Sequence, residues 1–270
     1  MRLRRFRAFL LALLLASATR SAAEPVSLRE ELGCTRPIRV AFYEFGTLYH
    51  EEHGIDVDII QEIARRTGCV FKKSILTTVE IWPKIENGDL GITTSGIRTL
   101  ARAKVAMFAP YLAFENMVVM RASLAEDIHD FSDIISHPDW RLGIVQGFQH
   151  GAYYDFRLKA IKDRSRIITY PAQQSLFNGL LHGQVQLILS PEINFDFYLP
   201  DKSALTDFTM LDLSPAPPIP HALVLSRKDF TPAMANAWLR LIEEMRLDGT
   251  LRTIYRNRLP QPMSDRLLEF

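Results

Sequence analysis

The sequence is short of the features that mark most catalytic and nucleic-acid-binding chains. It has no glycine-rich phosphate loop and no Gly-x-Ser-x-Gly nucleophile turn, which removes the simplest grounds for nucleotide-dependent or serine-hydrolase chemistry. Lys plus Arg number 32 against 31 for Asp plus Glu, so there is no basic excess to hold a nucleic acid. Beyond the first residues, no apolar run is long enough to span a bilayer. Cysteine is scarce: Cys34 and Cys69 are the only two, and they permit at most one disulfide. Histidine offers one close pair, His50 and His53 in "HEEH". It lacks the spacing of zinc-protease helices and reads as a solvated loop. No metal and no cofactor are expected.

What is present begins with "MRLRRFRAFLLALLLASATRSAAEP". Arg2, Arg4, Arg5 and Arg7 form a basic start, Phe9 to Ala16 an apolar core, and Ser21-Ala22-Ala23 a small-residue cleavage site. That is the build of a secretory signal peptide over residues 1–23, and its apolar core is too short for a membrane span. Export to the periplasm is the expectation. The chain as a whole is 47% hydrophobic and 23% charged, a soluble globular composition with room for one large domain or two small ones.

Strand and helix signals then alternate. "PIRVAFY" reads as a strand and "DVDIIQEIARRTG" as a helix with an apolar face at Val57, Ile59, Ile60, Ile63 and Ala64, capped by Asp56 and stopped by Gly68. "CVFKKSIL" is a strand, "VEIWPKIENG" a short helix with Trp82 in the core, and "LGITT" a third strand. The alternation implies a parallel α/β sheet. A second α/β unit follows, from "WRLGIVQG" through "AYYDFRLKAIKD", "RIITY" and "AQQSLFNGLLHG" to "VQLILS". Extended segments, "ENMVVMRAS" and "SPAPPIPHALVLSR", flank it on both sides. Hence the second unit is expected to be inserted into the first, with two hinge strands and a ligand cleft between the lobes. One strong helix from Pro232 to Leu259, with apolar positions at Trp238, Leu239, Leu241, Ile242, Met245 and Leu247, returns to the first lobe. The expected division is residues 24–118 plus 224–270 for lobe 1 and 119–223 for lobe 2. If the strands after Cys34 and Cys69 lie side by side and parallel, both cysteines sit at one sheet edge. In an oxidising compartment a disulfide follows; the alternative is two unpaired thiols.

Five runs in order carry a resemblance. They are "HGIDVDIIQEIARRTG", "KIENGDLGITTSGIRTLARAKVAMFAPY", "LGIVQGFQHGAYYDF", "LLHGQVQLILSPE" and "MRLDGTLRTIYRNRL". Together they are similar to motifs of the family 3 extracellular solute-binding proteins, receptors of polar amino-acid ABC importers, over essentially the whole chain after residue 23. The resemblance implies a type II periplasmic binding protein fold. It also implies a monomer that closes over one small carboxylate or amino acid and hands it to an ABC transporter permease. Arg102 matches the arginine that holds the ligand carboxylate in amino-acid receptors, and Thr94, Ser95 and Gly96 match the strand end that adds donors. A guanidinium fork suits that task because it gives two parallel, charge-assisted hydrogen bonds. Arg98 is a further possibility at the same turn. Tyr43, Glu44, Phe45 and Tyr49 fall in the loop where the family places ligand-sandwiching aromatics.

The sequence departs from the family in the second lobe. Pro191 stands where amino-acid receptors have the aspartate that accepts from the ligand's ammonium, with Glu192 beside it. Phe148 and Gln149 replace a hydroxyl pair. Either Glu192 takes the aspartate's place, or the ligand carries no ammonium. Among the scattered histidines 129, 137, 150, 182 and 221, only His150 is placed near the expected cleft. An enzyme of the cyclohexadienyl or arogenate dehydratase type would share this fold, but Asn194 stands where its catalytic glutamate is expected. A binding protein that signals to a membrane partner is the remaining alternative.

Overall fold

A computed structural model describes residues 27–199 and 206–270; the expected signal peptide lies outside the described residues. The chain runs α1 (Leu28–Glu31), β1 (Ile38–Phe42), α2 (Ile55–Thr67), β2 (Phe71–Ile75), α3 (Thr78–Asn87), β3 (Ile92–Ile97) and β4 (Ala106–Phe114). It continues with β5 (Asn116–Arg121), α4 (Phe131–Ser136), β6 (Leu142–Val145), α5 (Gly151–Ala160), β7 (Ile167–Tyr170) and α6 (Gln173–Leu181). Next come β8 (Leu187–Pro191), α7 (Phe195–Tyr198), β9 (Phe208–Leu211) and β10 (Ile219–Ser226). Three further helices, Pro232–Leu247, Thr250–Arg256 and Gln261–Arg266, close the chain.

Two five-stranded sheets result, ordered β2-β1-β3-β10-β4 and β7-β6-β8-β5-β9. The chain leaves the first sheet between β4 and β5 and returns between β9 and β10, so the second α/β lobe is inserted into the first. Inner strands pair in parallel (β1 with β2 and β3, β6 with β7 and β8). The crossing strands β5 and β10 pair antiparallel to their neighbours. Parallel pairing aligns Ile38 with Phe71 and sets Cys34 and Cys69 at one edge. The two are bonded, with Cα atoms 5.5 Å apart.

Periodicity explains the packing. In α2 the expected apolar face is buried at Val57, Ile59, Ile60 and Ile63, and Gly68 ends the helix in the left-handed conformation. Asp56 is not its cap. Gly54 occupies that position, and Asp56 lies buried in the first turn. The C-terminal segment is not one helix: it breaks at Asp248 and Gly249, where Gly249 takes φ +83°. Trp238, Leu241, Ile242 and Met245 form one buried stripe at helical spacing. Leu239 and Leu247 fall off that stripe and are exposed (40% and 75%), against expectation. Trp238 anchors the stripe by donating Nε1–H to the Leu32 carbonyl at 3.0 Å. In the second lobe, alternate β5 residues face opposite ways. Val118 and Met120 pack with Phe131 and Tyr154, Val119 with Leu176 and Phe177.

Candidate functional site

The cleft lies at the ends of β1 and β3 in the first lobe and under the loop after β6 in the second. Thr94, Gly96, Ile97 and Arg102 line one side with Trp82 of α3; Gly147, Phe148 and Gln149 line the other; Asn116 and His221 stand at the back on the hinge strands. The space between these residues is about 440 Å³, counting the open solvent at its mouth. Among the described residues, no aspartate or glutamate lines it.

Arg102 opens a short turn, Arg102–Lys104, just past β3. Its guanidinium donates to the Ile97 carbonyl at 3.1 Å and, across the cleft, to the Gly147 carbonyl at 3.2 Å. It lies over the Trp82 ring, 4.0 Å from the centroid. Trp82 therefore belongs to the cleft wall and is not simply core as its helical spacing suggested. Burial pushes the Arg102 pKa down to about 10, so the group is still charged at neutral pH. Two of its five N–H donors are engaged by carbonyls, and among the described residues no carboxylate forms an ion pair with it. Its positive charge is thus only partly compensated.

Beneath Arg102 the strand end is braced from inside the lobe. Ser95 takes φ +54°, an uncommon conformation for a residue with a side chain. Its N–H donates to the Tyr111 hydroxyl at 2.9 Å, and its own hydroxyl donates to the buried Asp56 carboxylate at 2.8 Å. Tyr111 donates to the same carboxylate. The donors expected of Ser95 are therefore committed to Asp56 and Tyr111. The Thr94 hydroxyl is buried and acts on the same carboxylate, and Gly96 is held close to β10, where a Cβ would meet Val224 Cγ2 at 2.2 Å.

Burial raises the Asp56 pKa to about 6, with the Thr94, Tyr111 and Ser95 hydroxyls opposing the shift. A carboxyl whose folded pKa lies above its ordinary value of 3.8 favours folding below about pH 4 and loses that contribution as pH rises to about 6. Compared with an Asp56→Asn variant, which does not titrate, wild-type stability is expected to fall across that window. Urea unfolding of both proteins at pH 4 and pH 7 checks this; parallel profiles would contradict it.

His221 was missed by the sequence reading and is a central part of the cleft. Its Nδ1 lies 2.9 Å from the Ser95 carbonyl, which also accepts from the Tyr43 hydroxyl at 3.0 Å. A carbonyl only accepts, so Nδ1 carries the proton. Burial lowers the His221 pKa to about 3, so the ring is neutral and Nε2 presents a lone pair. The ring stacks on Phe114, centroids 3.8 Å apart. A register shift between His221 and Ala222 in the pairing of β10 with β4 re-aims the side chain.

The remaining expected site residues divide into two groups. Tyr43, Phe45 and Phe148 come together, with the Phe148 ring edge-on to both aromatics at centroid distances of 5.7 and 5.1 Å. Gln149 also lines the cleft. Three expected contributors, and the further candidate Arg98, lie elsewhere. Tyr49 is buried against Phe42 and borders a different surface pocket. Glu44 accepts from His50 Nδ1 at 3.0 Å and from the Tyr198 hydroxyl at 2.8 Å, and does not line the cleft. Glu192 leaves β8 on a short turn and pairs with Arg266, so it does not replace the missing aspartate. Arg98 is exposed. His150 does not line the cleft either; it lines a separate hollow beside the hinge.

The lobes are in contact. Thr47 donates to the Ile193 carbonyl at 2.9 Å and Thr78 to the Gln146 carbonyl at 2.7 Å. The Asn194 amide oxygen accepts from the Thr47 N–H at 3.4 Å. The approach requires a glycine at 46, where a Cβ would meet that oxygen at 2.4 Å and φ is +57°.

Two α/β lobes, one inserted into the other, with a cleft between them and a cation at its mouth make up the type II periplasmic binding protein fold. The chain belongs to the bacterial extracellular solute-binding proteins, family 3, whose model matches residues 40–260. Among solved structures it is similar to EhuB in complex with hydroxyectoine, at 18% identity and TM-score 0.71, covering 89% of this chain and 96% of that one. It is also similar to a Streptococcus pneumoniae ABC uptake transporter substrate-binding protein with bound histidine, at 14% identity and TM-score 0.69, covering 85% and 95%. A third likeness is to AncCDT-1, an ancestral amino acid-binding protein described as a precursor of cyclohexadienyl dehydratase. There identity is 18% and TM-score 0.68, covering 87% and 100%. No curated protein matches the sequence.

Proposed function

We propose that the protein is a periplasmic, monomeric receptor that captures a small carboxylate-bearing solute between its lobes and delivers it to the permease of an ABC importer. The supporting observation is Arg102, a half-buried cation with two of its five donors engaged, in a cleft whose lining among the described residues carries no negative charge. A carboxylate entering there would gain two charge-assisted hydrogen bonds and neutralise the site. Phe148, Tyr43 and Phe45 supply an apolar wall for the rest of the solute. Contacts such as Thr47 to Ile193 and Thr78 to Gln146 join the lobes around it, and the joined lobes would present one face to a permease.

Binding without turnover is the favoured reading. Dehydratase chemistry needs a positioned carboxyl as general acid, and the cleft lining offers none. Asn194, at the position of the expected glutamate, is buried against Thr47. A thermal-shift screen of amine-free carboxylates and amino acids, followed by incubation with prephenate, tests both parts. A fitting acid at about a hundred times its Kd should raise the midpoint by about 5–10 °C, and prephenate should be recovered unchanged. Stabilisation by no carboxylate would overturn the ligand class; product from prephenate would overturn the binding-only reading.

A further inference from the structure

His221 is 2% exposed, and its Nε2 has no hydrogen-bond partner among the described residues. The Nδ1–H bond to the Ser95 carbonyl fixes the tautomer, so Nε2 is an acceptor waiting for a donor. It stands in the same cleft as Arg102, whose positive charge acts on it. Arg102 donates only and His221 Nε2 accepts only, so the two groups ask complementary things of one small molecule.

We propose that the solute is a hydroxycarboxylic acid, its carboxylate held by Arg102 and its hydroxyl donating to His221 Nε2. The inference rests on the carboxylate reading above and adds the second polar group of the solute. An ammonium is also a donor, but it would be a second cation in a cleft that no acidic side chain lines among the described residues. One neutral imidazole is poor compensation for a desolvated positive charge. Among the described carboxylates, Glu192 is engaged by Arg266 and Glu44 by Tyr198 and His50, while Asp155, whose charge acts on Arg102, accepts from the His150 N–H and does not line the cleft. A hydroxyl supplies the missing proton without adding charge. A simple deoxy acid would satisfy Arg102 but leave Nε2 buried and unpaired, at the cost of affinity.

The test uses matched acids that differ at one group. Lactate is compared with propionate and alanine, β-hydroxybutyrate with butyrate and β-aminobutyrate, and phenyllactate with phenylpropionate and phenylalanine. Kd values are measured by calorimetry on the intact protein. In the best-fitting set, the hydroxy acid should bind about tenfold or more tighter than its deoxy partner, with the amino acid weakest. In His221→Phe, the advantage of the hydroxyl should shrink to about twofold or less while the deoxy acid keeps its affinity within about threefold. Equal binding of hydroxy and deoxy acids by the wild type, or preference for the amino acid, would overturn the hydroxyl assignment and leave Arg102 anchoring intact. That comparison stands even if the variant fails to fold. Binding of none of the acids would overturn the carboxylate reading itself.

Discussion

Replacing Arg102 with alanine should weaken binding of the best carboxylate by at least about a hundredfold, the loss of two charge-assisted hydrogen bonds at roughly 1.5–3 kcal/mol each. Arg102→Lys should recover only part of it, because an ammonium keeps the charge but not the planar fork. The unliganded protein should remain folded. The side chain bonds two carbonyls, those of Ile97 and Gly147, and stacks on Trp82. It also carries an incompletely compensated charge that burial has already made less favourable. These effects oppose each other, so the unliganded melting midpoint should move by only a few degrees. Calorimetric titration of wild type, Arg102→Ala and Arg102→Lys with one acid separates the cases. Unchanged affinity in Arg102→Ala would remove the anchor from the proposed mechanism.

The second large effect is expected at the other end of the first lobe. Cys34 and Cys69 are 35 residues apart and close a loop containing β1, α2 and the approach to β2. Cross-linking a loop of that length restricts the unfolded chain by an amount worth about 4 kcal/mol. The double variant Cys34→Ser, Cys69→Ser should therefore melt about 8–16 °C lower than wild type, with ligand affinity at low temperature nearly unchanged. Wild type under a thiol reductant should move towards the variant. A fall of less than about 2 °C would mean that the bond contributes little to the lobe that carries Arg102.

Local signals made much of the fold legible. Apolar spacing marked α2, and its left-handed glycine stop stands where expected. Strand–helix alternation marked the parallel core of both sheets. The crossings on either side of the second unit revealed the insertion. The C-terminal break was harder, since the apolar pattern continues on both sides of Gly249 and only its φ of +83° interrupts the helix.

The cleft was legible where one short segment builds it and obscure where distant segments meet. Thr94 to Arg102 is such a segment, and the structure brings its Thr94, Ser95, Gly96, Ile97 and Arg102 to the cleft. His221 reaches it on β10, 126 residues after Ser95, with a register shift that no spacing rule reveals. Asp56 looked like a helix cap because its partners, Ser95 and Tyr111, lie 39 and 55 residues further on. Glu192 looked available for a ligand because Arg266 follows it by 74 residues. In each case a long-range partner decided what a locally ambiguous side chain does.

The most direct measurement is a crystal structure of the wild-type protein with the most strongly stabilising acid. Anchoring by Arg102 predicts both carboxylate oxygens within about 3 Å of its guanidinium nitrogens, inside a cleft closed by Phe148. A carboxylate held elsewhere, with the Arg102 guanidinium still bonded only to the Ile97 and Gly147 carbonyls, would contradict it.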